Sequence, residues 1–261
     1  MTFDEILADG AAGTLSIDGS WGQGRAMFGG LVAALAFEGM RGVISPGRPM
    51  RSLQVSFVGP VEADVPLTVE SELLREGKSV SQVQARLVQN GETRLVALGS
   101  FGGDRESDVN VPPQTAPSAP GPDECVSLPF REGLSPAFTQ HIEMRWAYGS
   151  LPFTGKRDVE MGGWMRFRTP PRDLTDAHIV ALVDAWPPAV LPHLSKPAPA
   201  SSLSWALDIV HPRPTIKADE WLLYKATIDQ AGSGYGHAQA KIWSAQGELV
   251  ALSRQTVTVF G

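Results

Sequence analysis

The hydrophobic pattern of the first hundred residues predicts one helix followed by antiparallel strands. An apolar stretch of good helix formers, LVAALAFEGM at 31–40, predicts a buried helix. Apolar and polar residues then alternate in strand-like runs at 53–57, 67–73, 83–87 and 95–101. The Asn90-Gly91 pair separates the last two runs and is typical of a tight hairpin turn. This order predicts an α+β fold, because a nucleotide-binding sheet alternates strands with helices.

The second part of the chain repeats this order. A helical pattern over 175–186 precedes strand-like runs at 203–211, 221–229, 237–244 and 249–260. Pro60 and Pro214 each follow a strand and are 154 residues apart, and the Val-Ala-Leu sequences that begin at Val96 and Val250 have the same spacing. A constant offset at two landmarks indicates an internal duplication.

The segment between the two parts has a different composition. Residues 104–122 read DRESDVNVPPQTAPSAPGP, rich in Pro, Ser and Ala and poor in large apolar side chains. Such a segment cannot bury enough apolar surface to form a core element, so it is predicted to be a linker. We therefore expect an N-terminal module at 1–103, a Pro-rich linker at 104–136 and a C-terminal module at 137–261.

Composition limits the partners and the location. The 261 residues carry 22 Lys and Arg against 28 Asp and Glu, a net charge of −6 without basic blocks, which argues against nucleic acid. The single Cys125 excludes an intramolecular disulfide and suits a reducing compartment. The acidic start, Met1-Thr-Phe-Asp-Glu, and the lack of an 18-residue apolar run predict a cytoplasmic protein without a membrane span. No histidine has metal-ligand spacing, so neither a metal nor another cofactor is expected.

Four segments in order resemble the thioesterase II family of acyl-CoA thioesterases. They are MFGGLVAALAF, LLREGKSVSQVQARLVQNG, DEWLLYKATIDQAGSGYG and GELVALSRQ. The resemblance covers nearly the whole chain and implies a tandem (double) hotdog fold, in which each module wraps an antiparallel sheet around a helix. It also implies hydrolysis of acyl-CoA to CoA and a carboxylic acid by direct attack of water, and a homodimer or larger homo-oligomer.

The family holds its attacking water with an Asp, a Thr or Ser, and a Gln. By resemblance, the Asp corresponds to Asp184 in ALVDAWPP and the Gln to Gln255 in LVALSRQ. Counting back from Pro212-Arg-Pro, where the family has His-Arg-Pro, places the hydroxyl at Ser204. Ser202 is the alternative, because His211 lies one residue too early in that motif.

The residues themselves leave alternatives beside these roles. A carboxylate at a helix C-terminus is disfavoured by about 0.3–1 kcal/mol, so Asp184 is either functional or simply exposed. Gln255 alternates with apolar residues on its strand, which predicts an inward amide with hydrogen-bond partners. Ser204 shares a small, polar face with Asp208, a reserve carboxylate, and borders either a cleft or solvent. The 154-residue offset puts Phe101 opposite Gln255, so one reaction centre per chain is expected.

The substrate-binding candidates are Phe28, Gly29 and Gly30, which precede the first helix. Glycines there either let backbone N–H groups approach a developing oxyanion or let the helix pack closely.

Two other functions stay open. An acyl hydratase or dehydratase on the same fold needs a His-x-x-x-Gly setting, and none of the five histidines has Gly four residues on. A non-catalytic acyl-CoA or acyl-carrier binding protein remains the second alternative, because fold alone does not give function.

Overall fold

One antiparallel sheet and the helices packed against it organise the protein. A computed structural model describes residues 1–260; over this range three α-helices accompany a twelve-stranded sheet and a separate two-stranded one. The helices are α1 (Phe3–Ala11), α2 (Gly29–Arg41) and α3 (Asp176–Val183). The strands are β1 (Thr14–Leu15), β2 (Gly22–Gln23), β3 (Ala26–Met27), β4 (Met50–Phe57), β5 (Leu67–Glu76), β6 (Val80–Gln89), β7 (Glu92–Gly102), β8 (Val126–Ser127), β9 (Ile142–Tyr148), β10 (Glu160–Phe167), β11 (Ala200–Ile209), β12 (Leu222–Gly232), β13 (Tyr235–Ser244) and β14 (Leu249–Val259).

The sheet has the same strand order in both halves of the chain. Outward from the centre, the order is β4-β7-β6-β5 on one side and β11-β14-β13-β12 on the other. Strands β4 and β11 pair at the centre, where Leu53 lies opposite Leu207, the residue 154 positions later. The predicted α+β class is confirmed, and the two halves form one continuous sheet.

The two central helices bury the apolar faces that the sequence predicted. Helix α2 packs on strands β4–β7 and also contacts α3. Helix α3 is shorter than the pattern over 175–186: Thr175 is its N-cap and Asp184 its C-cap. Gly30 of α2 packs closely on Ala181 of α3, since a methyl group added at Gly30 would lie 2.6 Å from the carbonyl oxygen of Ala181. This close packing holds the first turn of α2 beside the end of α3.

The N-terminal helix and two strands of the second half, β9 and β10, are not in the sequence-based expectation. Helix α1 starts with a capping box, in which Thr2 and Glu5 bond each other's backbone N–H. Its Asp4 Oδ1 lies 2.9 Å from Nε2 of the buried His178 on α3. Helix α1 is thereby tied to the central helix pair.

The Pro-rich segment lies on the outer face of the second half. No helix or strand is assigned from 103 to 121. The indole N–H of Trp243 donates to the carbonyl of Gln114, and that of Trp164 to the carbonyl of Pro120. These two tryptophans belong to a small apolar cluster that Ala116 and Ala119 help to cover. The segment ends in β8, which pairs with β9.

Candidate active site

The side-chain amide of Gln255 joins three elements of the second half. Its Nε2 donates to Oδ1 of Asp184 over 2.9 Å and to Oγ of Ser202 over 3.0 Å. Asp184 comes from the end of α3, Ser202 from the start of β11 and Gln255 from β14. All three residues are partly exposed, so solvent reaches the cluster. A carboxylate, an amide and a hydroxyl therefore meet at one accessible point.

The hydroxyl in this cluster belongs to Ser202, which corrects the placement at Ser204. A β-bulge lies between Ser202 and Ser204 in the pairing of β11 with β14. Ser202 pairs with Val257 and therefore shares a face with Gln255, two residues before Val257 on β14. Ser204 pairs with Thr256, so its exposed side chain points to the other side of the sheet.

The prediction that Asp208 is a reserve carboxylate on a face that borders the cleft is corrected together with that of Ser204. Asp208 is an even number of residues from Ser204 on β11, and it is exposed on the same outer face. The residues between them, Trp205 and Leu207, are buried. The alternation of β11 was predicted, but the side of the sheet that faces the cleft was assigned the wrong way round.

The environment of Asp184 makes its carboxylate a usable base near neutral pH. Burial raises the pKa of Asp184 to about 7 from its usual 3.8, although hydrogen bonds from Gln255 and the backbone N–H of Gly30 favour the ionised form. A general base works best when its pKa lies near the working pH. Asp184 meets this condition through desolvation rather than through a neighbouring charge.

The first turn of α2 lies directly against this carboxylate. A methyl group added at Gly29 would lie 2.6 Å from Oδ2 of Asp184 and 3.2 Å from the Phe57 ring. A side chain at this position would therefore make the Asp184 carboxylate shift. The N-cap residue Phe28 offers no side-chain cap to the helix. The positive end of the α2 dipole therefore faces the Asp184 carboxylate.

Phe28 itself is structural. Its side chain is fully buried and stacks on Phe138 with ring centroids 4.1 Å apart. Its backbone N–H donates to the carbonyl of Trp21, and its carbonyl accepts from Leu31 and Val32. Phe28 thus fixes the start of α2. The backbone N–H of Gly30 donates to Asp184, which leaves that of Gly29 as the donor for a bound ligand.

Three aromatic residues beside Asp184 were missed by the sequence reasoning. The rings of Trp186 and Tyr224 stack nearly parallel with centroids 5.5 Å apart, and Trp146 packs on Trp186 at 5.0 Å. Burial raises the pKa of the Tyr224 hydroxyl, and the charge of Asp184 adds to this effect. The sequence signal was Trp186, two residues after Asp184, but nothing in the sequence paired it with Tyr224.

The histidines make contacts away from this cluster. Within residues 1–260, none of their hydrogen bonds involves Asp184, Ser202 or Gln255. Over the same range, no group of three or more His, Cys, Asp or Glu side chains is arranged to hold a metal ion. No helix in the described part of the chain is both long and apolar enough to cross a membrane.

Solved structures place this arrangement in a known class of fold. The chain is similar to a conserved protein of unknown function with a hot dog fold from Alicyclobacillus acidocaldarius, with 24% identity, a TM-score of 0.81, and coverage of 95% of this chain and 92% of that one. It is also similar to an acyl-CoA thioesterase II from Mycobacterium marinum, with 23% identity, a TM-score of 0.79, and coverage of 99% and 98%. The protein therefore has a hotdog fold.

Sequence comparisons then define the family within that fold. The model of the acyl-CoA thioesterase N-terminal domain matches residues 17–102, and that of the C-terminal domain matches residues 122–259. The curated acyl-CoA thioesterase 2 of Haemophilus influenzae is 26% identical over 256 residues, which span 88% of this chain and 86% of that protein. The chain belongs to the acyl-CoA thioesterase family, which confirms the resemblance to thioesterase II.

Proposed function

We propose that the protein hydrolyses acyl-CoA thioesters to CoA and a carboxylic acid by direct attack of water. The observation that carries this proposal is the Gln255 amide, which donates hydrogen bonds to both Asp184 and Ser202 beside the N-terminus of α2. Family membership supplies the substrate class, and the matched domains and the Haemophilus influenzae relative are both described as acyl-CoA thioesterases.

In the proposed mechanism the cluster holds the water and Asp184 removes its proton. Both N–H bonds of the Gln255 amide are used, which leaves its carbonyl oxygen to accept from the water. The water oxygen attacks the thioester carbon while Asp184 takes the proton. The backbone N–H of Gly29 stabilises the resulting oxyanion, as a helix N-terminus favours negative charge. The intermediate then breaks its C–S bond, and Asp184 returns the proton to the leaving thiolate of CoA.

We also propose that the halves are tandem hotdog modules, at 1–103 and 137–261, with a linker at 104–136. The repeated strand order and the end of the first matched family domain at residue 102 support this division, whereas the second matched domain already begins at residue 122, inside the linker. Strand β8 would then lie within the linker and anchor it on the second module by pairing with β9.

The proposal includes a homodimer or larger homo-oligomer in the cytoplasm. Exposed leucines in the first half, Leu73, Leu74 and Leu98, provide apolar surface for self-association. Size-exclusion chromatography with light scattering measures the oligomer, and a monomer at micromolar concentration would contradict it.

The direct test is release of CoA thiol from a panel of acyl-CoA esters of rising chain length. We expect turnover by the wild type and a loss of at least about 100-fold in kcat/KM for Asp184→Asn, the lower end of general-base contributions. Binding of every acyl-CoA without release of thiol would favour the non-catalytic binding protein instead. Turnover of an enoyl-CoA by hydration would favour the hydratase.

A further inference from the structure

A cavity lies at the end of the α2–α3 helix pair that is opposite to the candidate active site. Its volume is about 610 Å³, and it opens between the end of α2, the loop that follows it and the start of α3. Its apolar lining consists of Phe37, Ile44, Met50, Phe101 and Leu174. The volume falls within the range of about 300–1,000 Å³ that is typical of small-molecule sites.

The cavity occupies the position in the first half that the candidate active site occupies in the second. Phe101 in its wall lies 154 residues before Gln255, the offset that relates Leu53 to Leu207 across the central strands. Helix α3 is capped at its C-terminus by Asp184, whereas α2 is capped by Gly42. The positions that correspond to the amide and the helix-capping carboxylate of the active site are therefore Phe101 and Gly42 here.

Arginines bring hydrogen-bond donors to this cavity. Three of them line it, Arg41, Arg48 and Arg213, against two aspartates, Asp173 and Asp176. Glu38 also pairs with Arg41 over 3.2 Å, so the arginines supply hydrogen-bond donors rather than an excess of positive charge.

The arginines keep hydrogen-bond donors for a ligand. Arg48 donates to the hydroxyl of Ser81 over 2.8 Å and to the carbonyl of Gly77 over 2.9 Å, so its charge is not neutralised by a direct carboxylate contact. Arg213 donates one N–H to the carbonyl of Leu174, and its ion pair with Asp176 is long at 3.4 Å. A guanidinium has five N–H donors, so each side chain retains donors beyond these contacts.

We propose that this cavity is a non-catalytic binding site for an amphipathic carboxylate, a free acid with an apolar chain. The planar donors of arginine match the two oxygens of a carboxylate, and Ile44, Pro46 and Pro49, the apolar lining residues that keep exposed surface, provide contact for the chain. The site stands on the cavity alone. The acid released by hydrolysis of an acyl-CoA would be a ligand of this kind, and that statement alone rests on the proposed function.

Binding of octanoate to the full-length protein, followed by isothermal titration calorimetry, tests this site. The exposed Arg41→Met variant should bind octanoate about tenfold more weakly, the loss expected for one charge-assisted hydrogen bond. Ile44→Trp places a bulkier ring in the cavity and should weaken binding at least about tenfold. Arg86→Met is the matched control, because Arg86 is 48% exposed and paired with Glu70, as Arg41 is 51% exposed and paired with Glu38. All three variants should keep kcat/KM for octanoyl-CoA within twofold of the wild type.

Two further ligands identify the chemistry that is recognised. Octanol should not bind, because it lacks the carboxylate, and free CoA should not compete with octanoate for the cavity. Competition by CoA would assign the arginines to phosphate and overturn the carboxylate proposal.

Other outcomes also separate this proposal from the proposed function. Octanoate affinity unchanged in both Arg41→Met and Ile44→Trp would place the ligand elsewhere and overturn the site. A parallel loss of kcat/KM in these variants would make the cavity part of the reaction centre, which contradicts a non-catalytic role. A wild type without thioesterase activity that still binds octanoate through Arg41 would overturn the proposed function and leave the second site standing.

Discussion

Replacing Asp184 with asparagine is expected to stabilise the protein above pH 7 while removing most of its hydrolysis. Burial places the pKa of this carboxyl at about 7 in the folded protein, against 3.8 as its usual value. Between these two values the folded state binds more protons than the unfolded state, so the free energy of unfolding falls as the pH rises. A shift of about three pKa units corresponds to roughly 4 kcal/mol. Solvent access to the partly exposed Asp184 makes this figure an upper value.

Asparagine has no proton to release, so the variant should lack this fall in stability. Urea unfolding of wild type and Asp184→Asn at several values between pH 5 and pH 8 measures the difference in unfolding free energy. The difference should grow in favour of the variant toward pH 7, by at most about 1.4 kcal/mol per pH unit, and level off above it.

The control for this experiment is Asp208→Asn, since Asp208 is exposed on the other face of the sheet. Its stability relative to wild type should not depend on pH over the same range. A constant difference between wild type and Asp184→Asn from pH 5 to pH 8 would refute the reasoning, because Asp184 would then titrate as it does in the unfolded chain.

Three kinetic predictions use the same site. Ser202→Ala should lower kcat/KM for an acyl-CoA by about tenfold, the contribution of one hydrogen bond to the Gln255 amide and water. Ser204→Ala should stay within twofold of the wild type. Equal effects of the two substitutions would contradict the assignment of the hydroxyl to Ser202. Gly29→Ala should lower kcat/KM at least tenfold by displacing the Asp184 carboxylate, while Gly19→Ala, with nothing within 4 Å of the added methyl, should not. In wild type, kcat/KM should rise with pH to a half-maximal value near pH 7, as Asp184 ionises, and a profile flat from pH 5.5 to 8.5 would exclude it as the base.

Much of the fold was predictable because its signals are local. The Asn90-Gly91 pair has positive φ at both residues, 53° and 75°, as a two-residue hairpin turn of this type requires. The predicted run at 249–260 matches β14, which spans Leu249–Val259. Helix α1 was also within reach, since Thr2 and Glu5 form the Thr-x-x-Glu signature of a capping box. These features depend on residues within a few positions of one another.

The hydroxyl of the site was less predictable because it depends on one inserted residue. Alternation along β11 links Ser204 with Ala206 and Asp208 correctly, but the bulge between Ser202 and Ser204 exchanges the two faces at that point. Nothing in the SSLSW sequence marks a bulge, since it contains neither Gly nor Pro. The inward orientation of Gln255 was easier to predict, because β14 keeps its register with β11 from Gln255 to Ala251.

The candidate site draws on both halves of the chain, and this explains why neither half reveals it alone. The shortest contact of a side chain added at Gly29 would be with the Asp184 carboxylate oxygen, 155 positions later, and only the looser contact with the Phe57 ring lies within the first half. Asp184 in turn owes part of its hydrogen bonding to Gly30. The packing of α2 on α3 therefore does more than bury apolar surface. It brings the N-terminus of α2 to the Asp184 carboxylate at one end of the pair, and at the other end it leaves a cavity without that carboxylate.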